Sequence, residues 1–378
     1  MLMRIPLSSP DIDEQDIAAV TGVLRSTQLS LGPMLESFER EFADYIGSMD
    51  AIAVSSGTAG LHLCLLALGV GLGDEVIVPS FTFIAAANVI RYVGAVPVFV
   101  DVNAGTLNMD PTCVERAITP KTKALMIVHT FGLPADMEPL LASAKRNNLR
   151  VIEDTCEAIG AEYRGQKVGT FGDAGVFGFY PNKQITTGEG GIIAIKDVSV
   201  SNLIRSLRNQ GRTAGGWFEH SRLGYNYRLS EMNCALGLSQ LRRIDSILAI
   251  RKSVASLYDR NLRGNPDLLL PPLHIDDRVI SWFVYVVRLS NDFTRTQRDA
   301  VIDKLAECGI GCGRYFAPIH LQGAYASTES ASLTLPITEA AADRTLALPF
   351  FNRITPEQIT EVSDRLLAAI DSVRSIHS

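Results

Sequence analysis

From Ile52 to about Asp197 the chain alternates short runs rich in Val and Ile with helical stretches: AIAVSS, AGLHLCLLALGV, EVIVPS, AAANVIRYV, PVFVDV, KALMIVHT, MEPLLASAKRNN and RVIEDT. That rhythm predicts βαβ units on a parallel sheet. The strands are almost unbroken in apolar residues, as a sheet covered by helices on both faces demands. Sheets of this kind bind ligands beyond the carboxyl ends of their strands. The loops that follow strands are therefore where function is to be sought.

Two further runs, AGVFGF and GIIAIKD, read as strands bridged by a long exposed turn, YPNKQITTGEG. The stretch EMNCALGLSQLRRIDSILAIRKSVASLYDRNL follows, long enough to serve as one connecting helix. Beyond NPDLLLPPLH the texture changes to a strand, SWFVYVVRL, a helix, TRTQRDAVIDKLAECG, and a last helix from about Pro356 to Val373. The expected fold is α/β, with a large unit over residues 1–250, the N-terminal segment included, and a small α+β unit over 251–378. With 378 residues, 47% of them hydrophobic, the chain can bury one large core and a smaller one.

Several function classes are excluded. The net charge is −6 with both signs interspersed, so no basic stripe is available for nucleic acid. No apolar run approaches the roughly 20 residues of a membrane span, and MLMRIPLSSPDIDEQ lacks a signal-type apolar core, which predicts a cytoplasmic protein. The cysteines, at 64, 113, 156, 234, 308 and 312, form no paired zinc pattern, and no metal is expected; reduced, buried thiols are.

Four segments at strand ends or helix starts carry residues that a phosphorylated aromatic aldehyde would need. Ser55-Ser56-Gly57-Thr58-Ala59 joins a strand to a helix, where glycine allows close approach and first-turn amides attract an anion; simple capping of the helix is the alternative. Glu153-Asp154 ends a central strand, and a buried acid there needs a partner such as a protonated pyridine nitrogen, a metal, a ribose or a structural cation. Lys183, inside FYPNKQITTGEGG, sits where a partly desolvated turn could hold an amine able to lose its proton; taken alone, a solvated surface lysine is the alternative. Gly224-Tyr225-Asn226-Tyr227-Arg228 precedes a helix with two side chains able to reach a phosphate, or is a simple loop-to-helix transition.

Taken together and in this order, these residues resemble the DegT/DnrJ/EryC1/StrS family of nucleotide-sugar aminotransferases. The similarity runs through SLGPMLESFEREFADYIG, SSGTAGLHL, PSFTFIAAAN, VHTFGLPADM, EDTCEAIGAEYRGQKVGTFGDAG, FYPNKQITTGEGG, GYNYRLSEMNCALGLSQL and GIGCGRYFAPIHLQ. The resemblance implies the fold type I architecture, a large domain with a mostly parallel seven-stranded sheet between helices plus a smaller α+β domain, and pyridoxal 5'-phosphate (PLP) as cofactor. It implies that Lys183 carries the cofactor and shuttles a proton, that Asp154 pairs with the pyridine nitrogen and that Phe83 stacks on the ring. Gly57, Thr58 and Ala59 would hold the phosphate, completed by Asn226 and Arg228 from a neighbouring subunit, which makes the protein a homodimer with shared sites. Arg314 and His320 would line the sugar-nucleotide pocket. His129 ends a strand at VHTFG, which by placement alone makes it a substrate-side candidate, with a satisfied, partly buried histidine as the equal alternative.

Two positions depart from the family pattern. Gly178 stands where many members have a phosphate-binding serine, and Glu157 where many have glutamine, facing the cofactor's phenolic oxygen. A carboxylate there would repel that oxygen unless protonated. The function expected is transfer of an amino group from L-glutamate to a nucleotide-linked keto sugar, a 4-keto-6-deoxy hexose by resemblance. A cyclitol aminotransferase is one alternative, and a binding or regulatory module without chemistry is another. Retention of Lys183 and Asp154 weighs against the latter, and Lys183 weighs against a sugar dehydratase of the same fold, in which histidine replaces the lysine.

Overall fold

The computed structural model describes residues 3–212, 219–326 and 333–375. Nine strands precede residue 196: β1 (Asp50–Val54), β2 (Glu75–Pro79), β3 (Val96–Val100), β4 (Thr122–Val128), β5 (Arg150–Asp154), the short pair β6 (Glu162–Tyr163) and β7 (Gln166–Lys167), then β8 (Ala174–Gly178) and β9 (Gly191–Ile195). Seven of them form the central sheet in the order β1-β9-β8-β5-β4-β2-β3. The run β3, β2, β4, β5, β8 is parallel, and β9 lies antiparallel to both neighbours. All seven apolar runs of the sequence are strands of this sheet, which is the mostly parallel α/β architecture expected.

Successive side chains of a strand point to opposite faces. Ala124 and Met126 of β4 accordingly enter one core cluster, with Val76, Val78, Ile152 and Val176, while Leu125 and Ile127 enter another, with Ile77, Val100 and Val151. Helices Gly57–Ala67 and Ala85–Tyr92 pack on the first face, and helix Met137–Arg146 on the second. Burial on both faces is why the strands read as unbroken apolar runs rather than alternating ones.

The expected single connecting helix is two helices, Glu231–Leu241 and Ile244–Leu262. The break falls at Arg243, whose backbone leaves the helical region and whose guanidinium gathers Asp11, Asp13 and Asp16 at 3.2, 3.3 and 2.8 Å. Helix Ile244–Leu262 runs through the expected division near residue 250, placing Ile244 and Ile247 in a cluster of the large sheet and Val254, Tyr258 and Leu262 in the C-terminal one. Ile5, from the start of the chain, packs in that C-terminal cluster too and bridges to Ile310.

The C-terminal region adds β10 (Leu268–Leu269), β11 (Arg278–Val279), β12 (Tyr285–Leu289) and β13 (Thr345–Leu348). β10, β12 and β13 make an antiparallel sheet backed by helices Arg295–Glu307 and Pro356–Ser375, whereas β11 pairs with β6. Cys64 and Cys234 are buried; Cys113, Cys156, Cys308 and Cys312 are only half-buried, against the expectation of buried thiols throughout. No helix among the described residues is long and apolar enough to cross a membrane.

Candidate active site

The turn after β8 carries Lys183. Its ends are closed by Phe179 N donating to Gly190 O and Thr187 N to Phe179 O, and Lys183 N donates to Tyr180 O. The sequence predicts an exposed turn, yet residues Gln184, Ile185, Thr186 and Thr187 are buried. Their polar groups find partners inside: Gln184 Nε2 donates to Glu157 O and Ser281 Oγ at 2.7 and 2.9 Å, Gln240 Oε1 accepts from Thr186 N, and Thr186 Oγ1 donates to Phe179 O. A polar segment with most of its groups engaged can be buried at modest cost, and here Gln184 Oε1 is a buried oxygen left without a partner.

The Lys183 side chain is 15% exposed, with Nζ 3.5 Å from Glu157 Oε1 and 4.0 Å from the centroid of the Phe283 ring. An ammonium held over an aromatic face is attracted by the ring's quadrupole. Phe283 is fixed in turn by buried Arg251, which donates from Nε to Trp282 O and from Nη2 to Phe283 O, both at 2.7 Å, and from Nη1 to Asn352 Oδ1. Complete burial brings the Arg251 guanidinium down to about 10.

β5 ends on one carboxylate, Asp154, and the turn after it carries a second, Glu157. Asp154 is buried, accepts from Cys156 N at 3.1 Å, and has no basic side chain in ion-pair contact among the described residues. Glu157 accepts from Phe131 N at 2.9 Å on its second oxygen. Phe131 sits at φ 59, a region that a bulky side chain seldom occupies and that marks functional turns. Burial raises the Glu157 carboxyl above the ordinary carboxylate range, while Lys183 and the Phe131 amide pull against it. The Tyr315 phenol beside this group is pushed up by its own burial and by the Glu157 charge.

The start of helix Gly57–Ala67 lies across from Cys156. Ser56 caps this helix, its Oγ accepting from Ala59 N at 3.0 Å. The Ala59 amide, expected to bind phosphate, is thus occupied, and the first-turn amides of Gly57 and Thr58 are the ones a helix leaves without an internal partner. A Cβ on Gly57 would come within 2.7 Å of Cys156 Sγ, and one on Gly178 within 3.2 Å of the same atom. Cys156 therefore fills the room that a serine side chain at 178 would use.

The other expected residues divide. Phe83 stands 62% exposed beyond β2. Asn226 is exposed and Arg228 half-buried, with Arg228 Nη1 donating to Asn209 Oδ1; their segment lies beside the helix start, Ser55 N donating to Tyr227 O. His129 is wholly buried: Ala135 N donates to its Nδ1 at 3.0 Å, so Nε2 carries the proton and faces Glu153 Oε2 at 3.1 Å. With both nitrogens used it braces β4 against β5 and has none left for a substrate. His320 is likewise buried, between Ser80 Oγ at 2.7 Å and Glu339 Oε1 at 3.3 Å. Arg314 is exposed and paired with Asp299. Nothing in the sequence singled out Phe131, Arg251, Phe283 or Tyr315; tertiary packing brings Phe131 and Tyr315 to Glu157 and Phe283 to Lys183, and Arg251 acts only by fixing Phe283.

A half-buried lysine on a strand-end turn, beside an acid that ends the central strand without a cationic partner, is the arrangement the sequence resemblance requires. The model of the DegT/DnrJ/EryC1/StrS aminotransferase family matches residues 10–367. The chain belongs to that family. It is 42% identical over 374 residues to the GDP-perosamine synthase of Caulobacter vibrioides, covering 98% of this chain and 99% of that protein. Among solved structures, the PMP form of the sugar aminotransferase Spr1654 from Streptococcus pneumoniae superposes with a TM-score of 0.93 at 29% identity over 99% of each chain. DesV of S. venezuelae does so with a TM-score of 0.89 at 35% identity over 97% of this chain and 99% of that one.

Spr1654 has also been solved in its PLP form, and the family cofactor is PLP. The residues present fit it. Asp154, buried without a cation, matches a protonated pyridine ring, the Gly57 and Thr58 amides offer an anion site, and Lys183 supplies an amine of low exposure.

Proposed function

We propose that this enzyme transfers the amino group of L-glutamate to a nucleotide-linked 4-keto-6-deoxy hexose, with a guanosine diphosphate sugar as first choice of acceptor. The nucleotide follows from the 42% identity to a GDP-perosamine synthase over nearly the whole of both chains. The observation that carries the chemistry is Lys183 Nζ, held between Glu157 and the Phe283 ring at the carboxyl end of the sheet.

Bound PLP supplies an aldehyde that captures amines and a ring that takes up the electrons released when a C–H bond breaks. This chain's residues do the rest. Lys183 would hold the cofactor and, as a free amine, would move a proton during turnover. Asp154 would pair with the ring nitrogen and keep it protonated, so that the ring could accept electrons. Glu157 is the nearest group able to take the ammonium proton from Lys183, since an amine must be neutral to attack a carbonyl. Phe83 would cover the ring, Gly57 and Thr58 would hold the phosphate, and Asn226 with Arg228 would serve the site of a second subunit, which makes a homodimer the working unit of this proposal. Nucleotide sugars of this kind place the enzyme in the cytoplasm.

The test is the visible absorption of protein supplied with PLP, before and after L-glutamate, for the wild type and Lys183→Ala together. The expected result is a lysine-linked cofactor band in the wild type alone, bleached by glutamate. Its absence from the wild type would return the chain to the status of a binding module. Mass spectrometry of products from a panel of nucleotide keto sugars and a keto-inositol then decides the acceptor, and turnover of the cyclitol alone would overturn the sugar assignment.

A further inference from the structure

A cavity of about 50 Å³ lies between the C-terminal sheet and the loops that follow β3 and β4. Its walls are apolar, among them Leu107, Leu270, Trp282 and Val286, and no acidic residue lines it. Three polar side chains also line it: Thr106, whose Oγ1 accepts from Asn108 N, and two that lack partners. Arg288, on the same face of β12 as Val284 and Val286, is half-buried and has no hydrogen-bond or ion-pair partner among the described residues. The hydroxyl of Thr130, a residue 1% exposed, is also buried without a partner.

Both features cost stability as they stand. Burial disfavours the charged guanidinium of Arg288, and so does the neighbouring Arg344, whose own contacts are to Asn291 and the Ala340 carbonyl rather than to an acid. A buried charge or hydroxyl left unpaired is expensive, and an unexplained one in a native fold points to a missing partner. The partner must be anionic, must accept from a hydroxyl or donate to it, and must present apolar surface to Trp282 and Val286. At 10–15 Å³ for each water-sized centre the space takes roughly three to five heavy atoms, far fewer than a sugar or nucleotide has. An open depression shares Gly105, Leu269 and Arg288 with the cavity and also contains no acid, which gives a route from solvent.

We propose that this cavity is a binding site for a short-chain monocarboxylate, with its carboxylate on Arg288 and Thr130 and its hydrocarbon tail against Trp282 and Val286. The site is separate from the lysine turn and is linked to it in space through Phe131 and Glu157. Thr130 precedes Phe131, whose amide donates to Glu157, the carboxylate facing Lys183. An occupant would press on the loop that sets the lysine's partner.

Calorimetric titration of the full chain with propionate tests this, with propionamide as the neutral isostere and Arg288→Met, Thr130→Val and Lys183→Ala as variants. The expected result is one saturable propionate site per chain, weakened at least about tenfold in Arg288→Met and measurably in Thr130→Val, and unchanged in Lys183→Ala. Unliganded Arg288→Met should melt at the same temperature as the wild type or higher, because it removes a half-buried charge that has no partner among the described residues. Equal binding of propionamide, loss of binding in Lys183→Ala, binding unaffected in Arg288→Met, or no binding at all would each overturn the proposal. So would a lowered melting point or failure to fold in Arg288→Met, since the arginine would then be paired within the fold.

Discussion

The Lys183 ammonium stands 3.5 Å from the buried Glu157 carboxylate, and the Phe131 amide holds that carboxylate from its other side. Burial nevertheless raises the Glu157 carboxyl above its ordinary value. A carboxyl whose folded value exceeds its unfolded one binds its proton more tightly in the folded chain. Stability therefore falls as pH rises from the ordinary carboxylate range through the folded value. Glu157→Gln has no such titration. Its stability relative to the wild type should be flat at low pH and should climb across that window, as followed by urea midpoints over a pH series; a flat difference throughout would mean that Glu157 ionises as freely inside the fold as outside.

Glu231 is a buried acid with a purely architectural task. Its two oxygens accept from Gly32 N, Met34 N and Leu35 N at 2.9, 2.8 and 3.0 Å, closing the start of helix Pro33–Ile46 from a residue about 200 positions away. Gly32, at the N-cap, supplies no side chain to do this. Glu231→Ala should lose about 2–4 kcal/mol in denaturant unfolding, with the lysine-linked cofactor spectrum retained in whatever fraction remains folded.

Gly132 lies at φ 84, and a Cβ built there would stand 1.7 Å from Ser281 O and 3.0 Å from Glu157 O. Both neighbours are backbone and cannot swing aside. Gly132→Ala should cost more than about 3 kcal/mol, and any folded protein recovered should show weakened cofactor binding, because the displaced loop carries the Phe131 amide.

His129 accepts from Ala135 N and donates to Glu153, which also accepts from Gly169 N, Phe171 N and Gly172 N, each at 2.7 Å. Removing the ring orphans a buried amide and takes one of four donors from a buried carboxylate. His129→Ala should therefore lower stability by about 3 kcal/mol while leaving the substrate KM values in place; a rise in KM without loss of stability would put the ring back in the substrate pocket.

Much of this molecule can be read from its sequence because the signals are local. A run such as ALMIV is a strand wherever it is covered on both sides, and a lysine in a polar, glycine-rich turn beside a strand-end acid keeps its meaning without coordinates. What could not be read depends on partners distant in the chain. Gln184 looks like a surface residue until Ser281, 97 positions on, receives its amide. His129 and His320 look like ligands because they sit near strand ends and polar loops, and only the positions of Ala135, Glu153, Ser80 and Glu339 show their nitrogens to be taken. The helix break at Arg243 has no glycine or proline to announce it, since it arises from three acids near the chain's start.

Gln184, the residue directly after the lysine, is fastened to Ser281, and Ser281 N donates to Gly132 O at 3.0 Å just upstream of β12. The residue after the amine and the loop that leads into the C-terminal sheet are thus fastened to one another, so a substitution that frees Ser281 would loosen the lysine turn as well.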